Sequence, residues 1–518
     1  MLLKRIFLFL VGCISFVLLG RLFLHAWTLL FTAHCYDCDV FWAMGRGMLN
    51  GLTPYVDLFE AKPPGIFLLS ALSLFVGGGR MLGNISAFVV TIFVAVMPCI
   101  LVWMRYDKRV VLSFLALLFG TIMSYYLSEG SFHYLPEQFG VAFGVAYVCI
   151  IGFSQYEESS YFSLLHVYAG FCLFAAIFMK EPFVLSIVAA GLILSSSLWS
   201  VVSNVVIPLV IAGVMHICTL VFLGLLRPYF FIYLREMLGW RMQSGVPLWV
   251  RPLHLDSYKS MYDLLFRFSP FVLFSLLLLF ALFVIYVFWR RNPRDAWKIH
   301  TPLILVAVYL AVASIFTSGG YVYNQHHLFI LPAFFACFVF LVQRLNETWD
   351  HVFSRTVAVV AVVLFCIASF TIPPSHYRPL LSFRDGVLPE KMLAAQVDQI
   401  LDNCREDQYL YIGLNGHKLF GYTTHSPLGP LLVQYEYFFN ENPQQKGVVK
   451  NRVLQYQQDF LSSLGSANIV IYDHHNSLGE FKKVIDQYVL SHFSQVPWKC
   501  STTVISKTSG VSIYYRNQ

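Results

Sequence analysis

The chain has 518 residues, of which 58% are hydrophobic and only 12% are Asp, Glu, Lys or Arg. Soluble globular domains carry about 25% charged residues, so this composition is typical of an integral membrane protein. The formal net charge is +7 and the sequence contains no block of like charges, which excludes the usual electrostatic basis of nucleic-acid binding. The predicted partner is the lipid bilayer and not nucleic acid.

The amino-terminal segment predicts a membrane-spanning helix. Lys4 and Arg5 precede an apolar run that continues past Arg21 to about Leu30. A cleavable signal has a shorter apolar core and a small-residue cleavage site, so we expect a permanent first span. Basic flanking residues stay in the cytoplasm, which places the start of this helix inside.

Further apolar stretches are long enough to cross about 30 Å of hydrocarbon. Residues 65–76 are apolar but short. If they do not cross, the basic loops 105–109 and 289–298 both lie in the cytoplasm, as the positive-inside rule favours. We therefore predict eleven spans, with 65–76 as an interfacial or re-entrant helix and 31–82 as the first extracytoplasmic loop. The spans after the first are 84–104, 109–127, 137–154, 161–179, 183–200, 204–226, 269–289, 301–317, 327–343 and 354–372.

The sequence becomes more polar after Pro373-Pro374. Short β-type runs alternate there with helical patterns, which predicts a small α/β domain. The predicted domains are therefore a transmembrane catalytic domain over 1–374 and an extracytoplasmic α/β domain over 375–518. The strands are predicted at 408–414, 467–473, 502–507 and 511–516, and the helices near 390–404, 451–464 and 479–492.

Most of the eleven cysteines lie in apolar spans, where a free thiol behaves as a small hydrophobe. Cys404 and Cys500 are the only cysteines after residue 375, and they can pair in an oxidising compartment. Cys35 and Cys38 form a C-x-x-C motif, which alone is weak evidence for metal or redox chemistry. We expect a coincidental or locally bridged pair there and no metal site.

The first predicted loop is the most polar passage of the first hundred residues. Asp37 and Asp39 open it, and Glu60 and Lys62 precede Pro63-Pro64, a rigid pair that fixes the direction of the lysine. An ordinary solvated loop is the alternative, because the stretch is rich in turn residues. We expect the residues after the aspartates to lie near the lipid head groups; they are Val40, Phe41, Trp42 and Met44.

The run D-x-D-x-F-x-x-x-G-R-x-x-L-x-G-x-x-P-Y-x-D-L-F-E-x-K-P-P-G resembles the first extracytoplasmic loop of GT-C-fold glycosyltransferases. The similar branch, like glycosyltransferase family 39, uses polyprenyl-phosphate sugars and includes protein O-mannosyltransferases and lipid A aminoarabinose transferases. The resemblance implies a membrane all-α, GT-C-like multi-span domain and a catalytic aspartate early in the loop. Asp37 matches by its distance from Gly45-Arg46, although Cys38 stands where the family often has a second acid, so Asp39 stays an alternative. Lys62 is implied to contact the lipid phosphate.

Elementary chemistry asks for the same groups. Transfer of a sugar to a hydroxyl needs a base that accepts the hydroxyl proton. It also needs cations that stabilise the charge on the departing phosphate, and Arg46 is available beside Lys62 for this role. Because the leaving group is already a phosphate, no cofactor is required, and a divalent cation is helpful but not obligatory.

Other residues on the predicted outer face are further candidates. Lys180 lies between two spans and either binds the donor phosphate or is satisfied by snorkelling or by pairing with Glu181. Glu137 opens a span, where it is equally a favourable charge at a helix start, and Glu129 precedes it. His326, or His327 beside it, binds phosphate or packs in the interfacial aromatic belt.

The predicted function is that of a hexosyl- or pentosyltransferase of the bacterial inner (cytoplasmic) membrane. It transfers a sugar, with inversion, from a polyprenyl-phosphate donor to a hydroxyl of a glycan, lipid or protein acceptor. The alternative is a transporter or flippase of a lipid-linked or small polar substrate, against which the lack of repeated half-molecules counts. A third class is an envelope assembly protein that uses the carboxyl-terminal domain as a binding module.

Overall fold

The computed structural model covers the whole chain and is described here over the greater part of it. The described residues are 2–32, 36–60, 62–105, 110–127, 134–154, 164–238, 250–253, 293–316, 324–347, 355–356, 358–363, 389–413, 419–420, 422–428, 431–432, 448–473, 481–495 and 511–517.

Two compact units make up the chain. The helical unit comprises Met1–His34, Met81–Phe222 and Arg241–Phe383. The mixed unit comprises Cys35–Arg80, Leu223–Trp240 and Arg384–Gln518. The mixed unit therefore contains both the first predicted loop and the carboxyl-terminal residues. The functional division at residue 374 stays a prediction.

Helices dominate the described residues. Three of them are long and apolar enough to cross a membrane, namely Gly79–Met104, Leu198–Phe222 and His326–Glu347. In chain order the helices are α1 (Leu2–Thr32), α2 (Tyr36–Leu49), α3 (Gly65–Phe75), α4 (Gly79–Arg105), α5 (Val110–Leu127), α6 (Pro136–Ser154), α7 (Leu164–Met179), α8 (Phe183–Ile193), α9 (Leu198–Phe222), α10 (Pro228–Leu238), α11 (Pro293–Phe316), α12 (Leu331–Glu347), α13 (Pro389–Cys404), α14 (Val448–Ser466) and α15 (Phe481–His492).

The helical unit packs apolar helices around one core. Phe119 of α5 stacks on Phe338 of α12 with ring centroids 4.3 Å apart. Shorter apolar helices, among them α5 to α8, accompany the three long ones and lie where spans are predicted. The predicted span 269–289 lies outside the described residues, as does most of 354–372.

One predicted boundary in this unit is wrong. The sequence predicts spans at 183–200 and 204–226, but α8 ends at Ile193 and α9 begins at Leu198. The cause is a capping box, because the Ser197 side chain accepts a hydrogen bond from Ser200 N and the Ser200 side chain accepts one in return from Ser197 N. Residues 198–200 therefore belong to the second helix.

The mixed unit contains a five-stranded sheet in the order β3-β2-β5-β7-β6. Strand β2 is parallel to β3 and β5, whereas β7 is antiparallel to β5 and β6. The predicted strands at 408–414, 467–473 and 511–516 are confirmed, while 502–507 lies outside the described residues. The strands are β1 (Leu58–Phe59), β2 (Gln408–Ile412), β3 (Ser426–Pro427), β4 (Leu431–Leu432), β5 (Ile469–Asp473), β6 (Phe493–Ser494) and β7 (Val511–Arg516).

Alternation along the central strands builds two cores on opposite faces of this sheet. Leu410 and Ile412 of β2 join α14 and α15 in one buried cluster. Tyr409 and Tyr411 point the other way and join α13. The helices predicted near 390–404, 451–464 and 479–492 are those that cover the sheet, so the α/β pattern is confirmed.

The first predicted loop contains regular structure of its own. Strand β1 pairs in parallel with β4, with Leu58 opposite Leu431 and Phe59 opposite Leu432. Helix α3 has 11 residues. It is about 16 Å long at 1.5 Å per residue and is too short to cross about 30 Å of hydrocarbon. This agrees with a short helix predicted at 65–76.

Candidate functional site

Helix α2 carries the candidate acids. Within the first predicted extracytoplasmic loop, Tyr36–Leu49 form a helix. The apolar residues that follow the aspartates are buried inside the protein, and their position near the lipid head groups stays a prediction. Val40 is 1% exposed, Phe41 0%, Trp42 2% and Met44 0%.

A helical α2 sorts the candidate residues onto two faces. Successive residues of an α-helix are about 100° apart, so positions 37 and 41 share a face and positions 39 and 46 share another. Positions 37 and 39 are then about 200° apart, on nearly opposite sides. The structure describes Asp37 as a position of this helix, and its side chain lies outside the description.

Lys62 packs on the face that contains Phe41. Its Nζ lies 4.8 Å from the centroid of the Phe41 ring and 3.3 Å from Glu60 Oε1. The side chains of Lys62 and Glu60 are 9% and 1% exposed, so this is a buried ion pair. The ammonium group of a lysine is a hydrogen-bond donor suited to phosphate. Lys62 therefore belongs to the same side of α2 as position 37.

Tyr55 fixes the backbone of Lys62 and is a residue that sequence reasoning did not single out. Its hydroxyl donates to the carbonyl oxygen of Lys62 at 2.8 Å. Its φ of 69° is in the left-handed region, where a bulky side chain is uncommon and strained. The ring stacks on Tyr233 of α10 at 5.0 Å, and the residue is fully buried. In the sequence, Tyr55 could have been found from the Pro-Tyr pair of the glycosyltransferase-like run.

Asp39 faces a different set of groups. Its Oδ1 forms an ion pair with Nη1 of Arg80, and its side chain is 1% exposed. Arg80 stands in the first turn of α4, and its guanidinium carbon lies 3.8 Å above the centroid of the Tyr422 ring. Nothing in the sequence distinguishes Arg80 or Tyr422, because they are remote from the acid in the chain.

Arg46 extends the Asp39 face toward the carboxyl-terminal part of the mixed unit. Its Nη1 donates to the carbonyl oxygen of Phe420 at 3.0 Å. Burial lowers the pKa of Arg46, Tyr409 and Asp398 oppose that shift, and the nearby Arg80 adds to it. Arg46, predicted as a phosphate ligand, thus holds a backbone carbonyl in this structure.

The glycines beside Arg46 permit close packing of α2. A Cβ at Gly45 would lie 2.6 Å from the backbone nitrogen of Ala71 in α3, and one at Gly47 would collide with the side chain of Leu58. Real Cβ atoms do not approach that closely, so only glycine allows α2 to rest against α3 and β1. This close packing explains why a glycine precedes Arg46 in the glycosyltransferase-like run.

The remaining acids and cations belong to the helical unit. Lys180 Nζ lies 3.6 Å from Glu137 Oε1 at the start of α6, with side chains 10% and 2% exposed. Sequence reasoning considered Glu181 as the local partner of Lys180 and did not pair it with Glu137. His326 is 4% exposed and stacks on Phe329 at 5.7 Å. Glu129 lies outside the described residues.

Cys38 and Cys404 are both disulfide-bonded. Their predicted partners, Cys35 and Cys500, lie outside the described residues. Within the described ranges, no three His, Cys, Asp or Glu side chains are grouped as they would be to hold a metal ion.

Comparison with known proteins gives distant similarity only. No family model matches the chain, and no curated protein matches it. Solved structures of an oligosaccharyltransferase from Archaeoglobus fulgidus are similar to it. The complex with zinc and sulfate is 12% identical with a TM-score of 0.39, covering 88% of this chain and 68% of that one. The apo form is 11% identical with a TM-score of 0.41, covering 89% and 70%. The form tethered to an acceptor peptide is 11% identical with a TM-score of 0.40, covering 89% and 69%.

Proposed function

We propose that this protein is a membrane glycosyltransferase that moves a sugar from a polyprenyl-phosphate donor to an acceptor hydroxyl, with inversion and with Asp37 as the base. The observation that carries the proposal is the position of Lys62. A buried, paired ammonium group lies on the side of α2 that contains position 37, near the end of the glycosyltransferase-like run.

The two α2 acids differ in what surrounds them. Asp39 is buried and engaged by Arg80, which suits a structural carboxylate. Asp37 shares its face with the residue against which Lys62 packs. We assign the base to Asp37 for this reason and the positioning of Arg80 to Asp39. Glu60 serves as the ion-pair partner of Lys62.

The proposed reaction is a single displacement. The carboxylate of Asp37 accepts the proton of the acceptor hydroxyl as its oxygen forms a bond to the anomeric carbon. The bond from that carbon to the donor phosphate breaks, and the phosphate leaves with the electron pair. Lys62 stabilises the charge on that phosphate, with Lys180 and His326 as further candidates. A direct attack from the opposite side inverts the anomeric carbon.

The proposed setting is the bacterial inner membrane with eleven spans. In this arrangement the mixed unit is extracytoplasmic, which suits the disulfide-bonded Cys38 and Cys404. A reporter enzyme fused after Gln518 should be active only in the extracytoplasmic compartment. Activity in the cytoplasm would overturn the eleven-span topology.

The direct test of function uses the purified full-length protein in lipid nanodiscs. It is incubated with a panel of undecaprenyl-phosphate sugars, with and without cell-envelope acceptor fractions. We expect one donor to be consumed only when an acceptor is present, with free undecaprenyl phosphate released. Transport of a donor across proteoliposomes without any transfer would favour the flippase instead.

A further inference from the structure

The Asp39 face of α2 holds two arginines that the reaction above does not use. Arg46 and Arg80 are near enough for the charge of Arg80 to disfavour that of Arg46. Asp39 is ion-paired with Arg80, and Asp398 acts electrostatically on Arg46. Each guanidinium group therefore has one carboxylate near it, and an anionic ligand would be bound through the N–H groups of Arg80 that these contacts leave open.

Three of the five N–H groups of Arg80 form no hydrogen bond with the described residues. Its Nη1 pairs with Asp39, and its flat face is covered by Tyr422. Its Nε and Nη2 are buried and have no hydrogen-bond partner among the described residues. These two nitrogens form the side of the guanidinium that binds a phosphate or carboxylate through two parallel hydrogen bonds. A buried N–H without a partner is unfavourable, so an oxyanion there would relieve a cost.

The geometry points to an oxyanion site at Arg80 and Arg46 that binds a phosphate or carboxylate group of the acceptor. This inference rests on the proposed function, in which Lys62 binds the donor phosphate. Lys62 packs on the Phe41 face of α2, and Arg80 pairs with residue 39, about 160° around the helix from position 41. Two anionic groups of two substrates would therefore bind on different sides of the helix that carries the base.

This site also has a supporting scaffold. Tyr422 is next to Thr423 and Thr424, and both oxygens of Asp398 accept hydrogen bonds from Thr424 N at 3.0 and 2.9 Å. His425 Nδ1 lies 3.0 Å from the same carboxylate. These bonds tie the segment under Arg80 to α13. The Tyr422 ring on which Arg80 rests is thus held in place by the carboxyl-terminal part of the mixed unit. In this proposal, one role of that part is to support acceptor binding.

The first experiment needs no variant and no identified acceptor. Full-length protein in nanodiscs is treated with phenylglyoxal, which modifies guanidinium groups, and modified arginines are mapped by mass spectrometry. Inorganic phosphate or acetate, compared with chloride at equal ionic strength, should slow the modification of Arg80. Arg344 is the internal control, because its side chain is 21% exposed against 24% for Arg80 and it pairs with Glu347. Equal modification of Arg80 with and without these oxyanions would overturn the proposal.

The second experiment separates acceptor from donor. Arg80→Lys keeps the charge that pairs with Asp39 but lacks the two parallel donors. With an anionic acceptor we expect its acceptor KM to rise about tenfold or more, with kcat and donor KM little changed. Acceptor treated with phosphatase, or amidated with carbodiimide, should lose this difference and show whether phosphate or carboxylate is bound.

Arg344→Lys should match the parent protein in every constant. A rise in donor KM for Arg80→Lys would show that Nε and Nη2 of Arg80 bind the donor phosphate, and it would overturn the acceptor assignment. Transfer by the parent with unchanged kinetics in Arg80→Lys would reject this site while the proposed function stands. Failure of the parent to transfer from any donor would reject the proposed function, and the labelling result would still decide whether Arg80 binds an oxyanion.

Discussion

Different parts of the chain contact the two faces of α2, which are named here after Phe41 and Asp39. On the Phe41 face the contacts are local, because Lys62, Glu60 and Tyr55 all follow α2 within one short stretch. On the Asp39 face the contacts are remote, and Arg46 reaches a carbonyl 374 positions further along the chain. The Phe41 face is thus built mainly by a short segment, with Tyr233 of α10 as a remote contact of Tyr55. The Asp39 face combines Arg80, 41 positions along the chain, with Phe420 and Tyr422 of the carboxyl-terminal part.

A similar contrast separates the two buried Lys–Glu pairs. Lys62 and Glu60 are two residues apart, and the pair has an Nζ–Oε1 distance of 3.3 Å. Lys180 lies between α7 and α8, and its Nζ is 3.6 Å from Oε1 of Glu137 in the first turn of α6. Both pairs are almost fully buried, so the physical need to neutralise a buried charge is the same. Only the distance in sequence between the partners differs, and it decides which pair can be foreseen.

The largest expected effect distinguishes the two aspartates of α2. Asp37→Asn keeps size and hydrogen bonding but removes the base, so transfer should fall by about 10²–10⁴-fold while donor binding persists. Asp39→Asn, two residues away, should lower stability and leave turnover per folded molecule much closer to the parent. Single-turnover kinetics measures both. Parental transfer by Asp37→Asn with loss in Asp39→Asn would move the base to Asp39, and activity in both would direct attention to Glu60, Glu129 and Glu137.

The next effect tests which buried lysine binds the donor. Removal of one partner from a buried ion pair costs about 3–5 kcal/mol, so Lys62→Ala should lower the free energy of unfolding by that order. Lys180→Ala breaks a pair of the same type and exposure, so it reports the stability cost of such a loss. We expect Lys62→Ala to weaken binding of an undecaprenyl-phosphate sugar, and an equal loss in Lys180→Ala would support Lys180 as a further ligand of the donor phosphate. Unchanged donor affinity in a folded Lys62→Ala protein would remove Lys62 from the site.

A smaller effect concerns the packing that orients both faces. Gly45→Ala places a Cβ against the backbone of Ala71 and should cost about 1–3 kcal/mol through overpacking. The control is Gly20→Ala in α1, where an added Cβ meets nothing within 4 Å and helix propensity favours alanine. Denaturant titration in micelles compares the two. A Gly45→Ala protein as stable as the parent would show that α2 can shift away from α3 without penalty.

The smallest effect is expected at Arg46. Arg46→Lys weakens the hydrogen bond to the Phe420 carbonyl and should cost about 1 kcal/mol of stability without changing donor affinity. Arg516→Lys is a suitable control, because Arg516 also donates to backbone carbonyls of the mixed unit, away from α2. A selective fall in donor affinity for Arg46→Lys would return Arg46 to the phosphate-binding set.

The sequence by itself determined the features that depend on near neighbours. Apolar runs marked the helices, short β-type runs marked β2, β5 and β7, and the Glu-x-Lys-Pro-Pro run marked the charged end of the first loop. These signals are local, because helix and strand periodicity and turn chemistry act over a few residues. The C-x-x-C pair was likewise a local feature of the chain.

Only the tertiary structure decided how the acids of α2 are used. A spacing of two residues permits either a strand or a helix, and in the structure Tyr36–Leu49 is a helix in which Val40 to Met44 are buried. Arg80 meets Asp39 from 41 positions along the chain, and the Phe420 carbonyl meets Arg46 from 374 positions. No local pattern records such pairings, since their energy comes from burying charges and polar groups that are far apart in the chain.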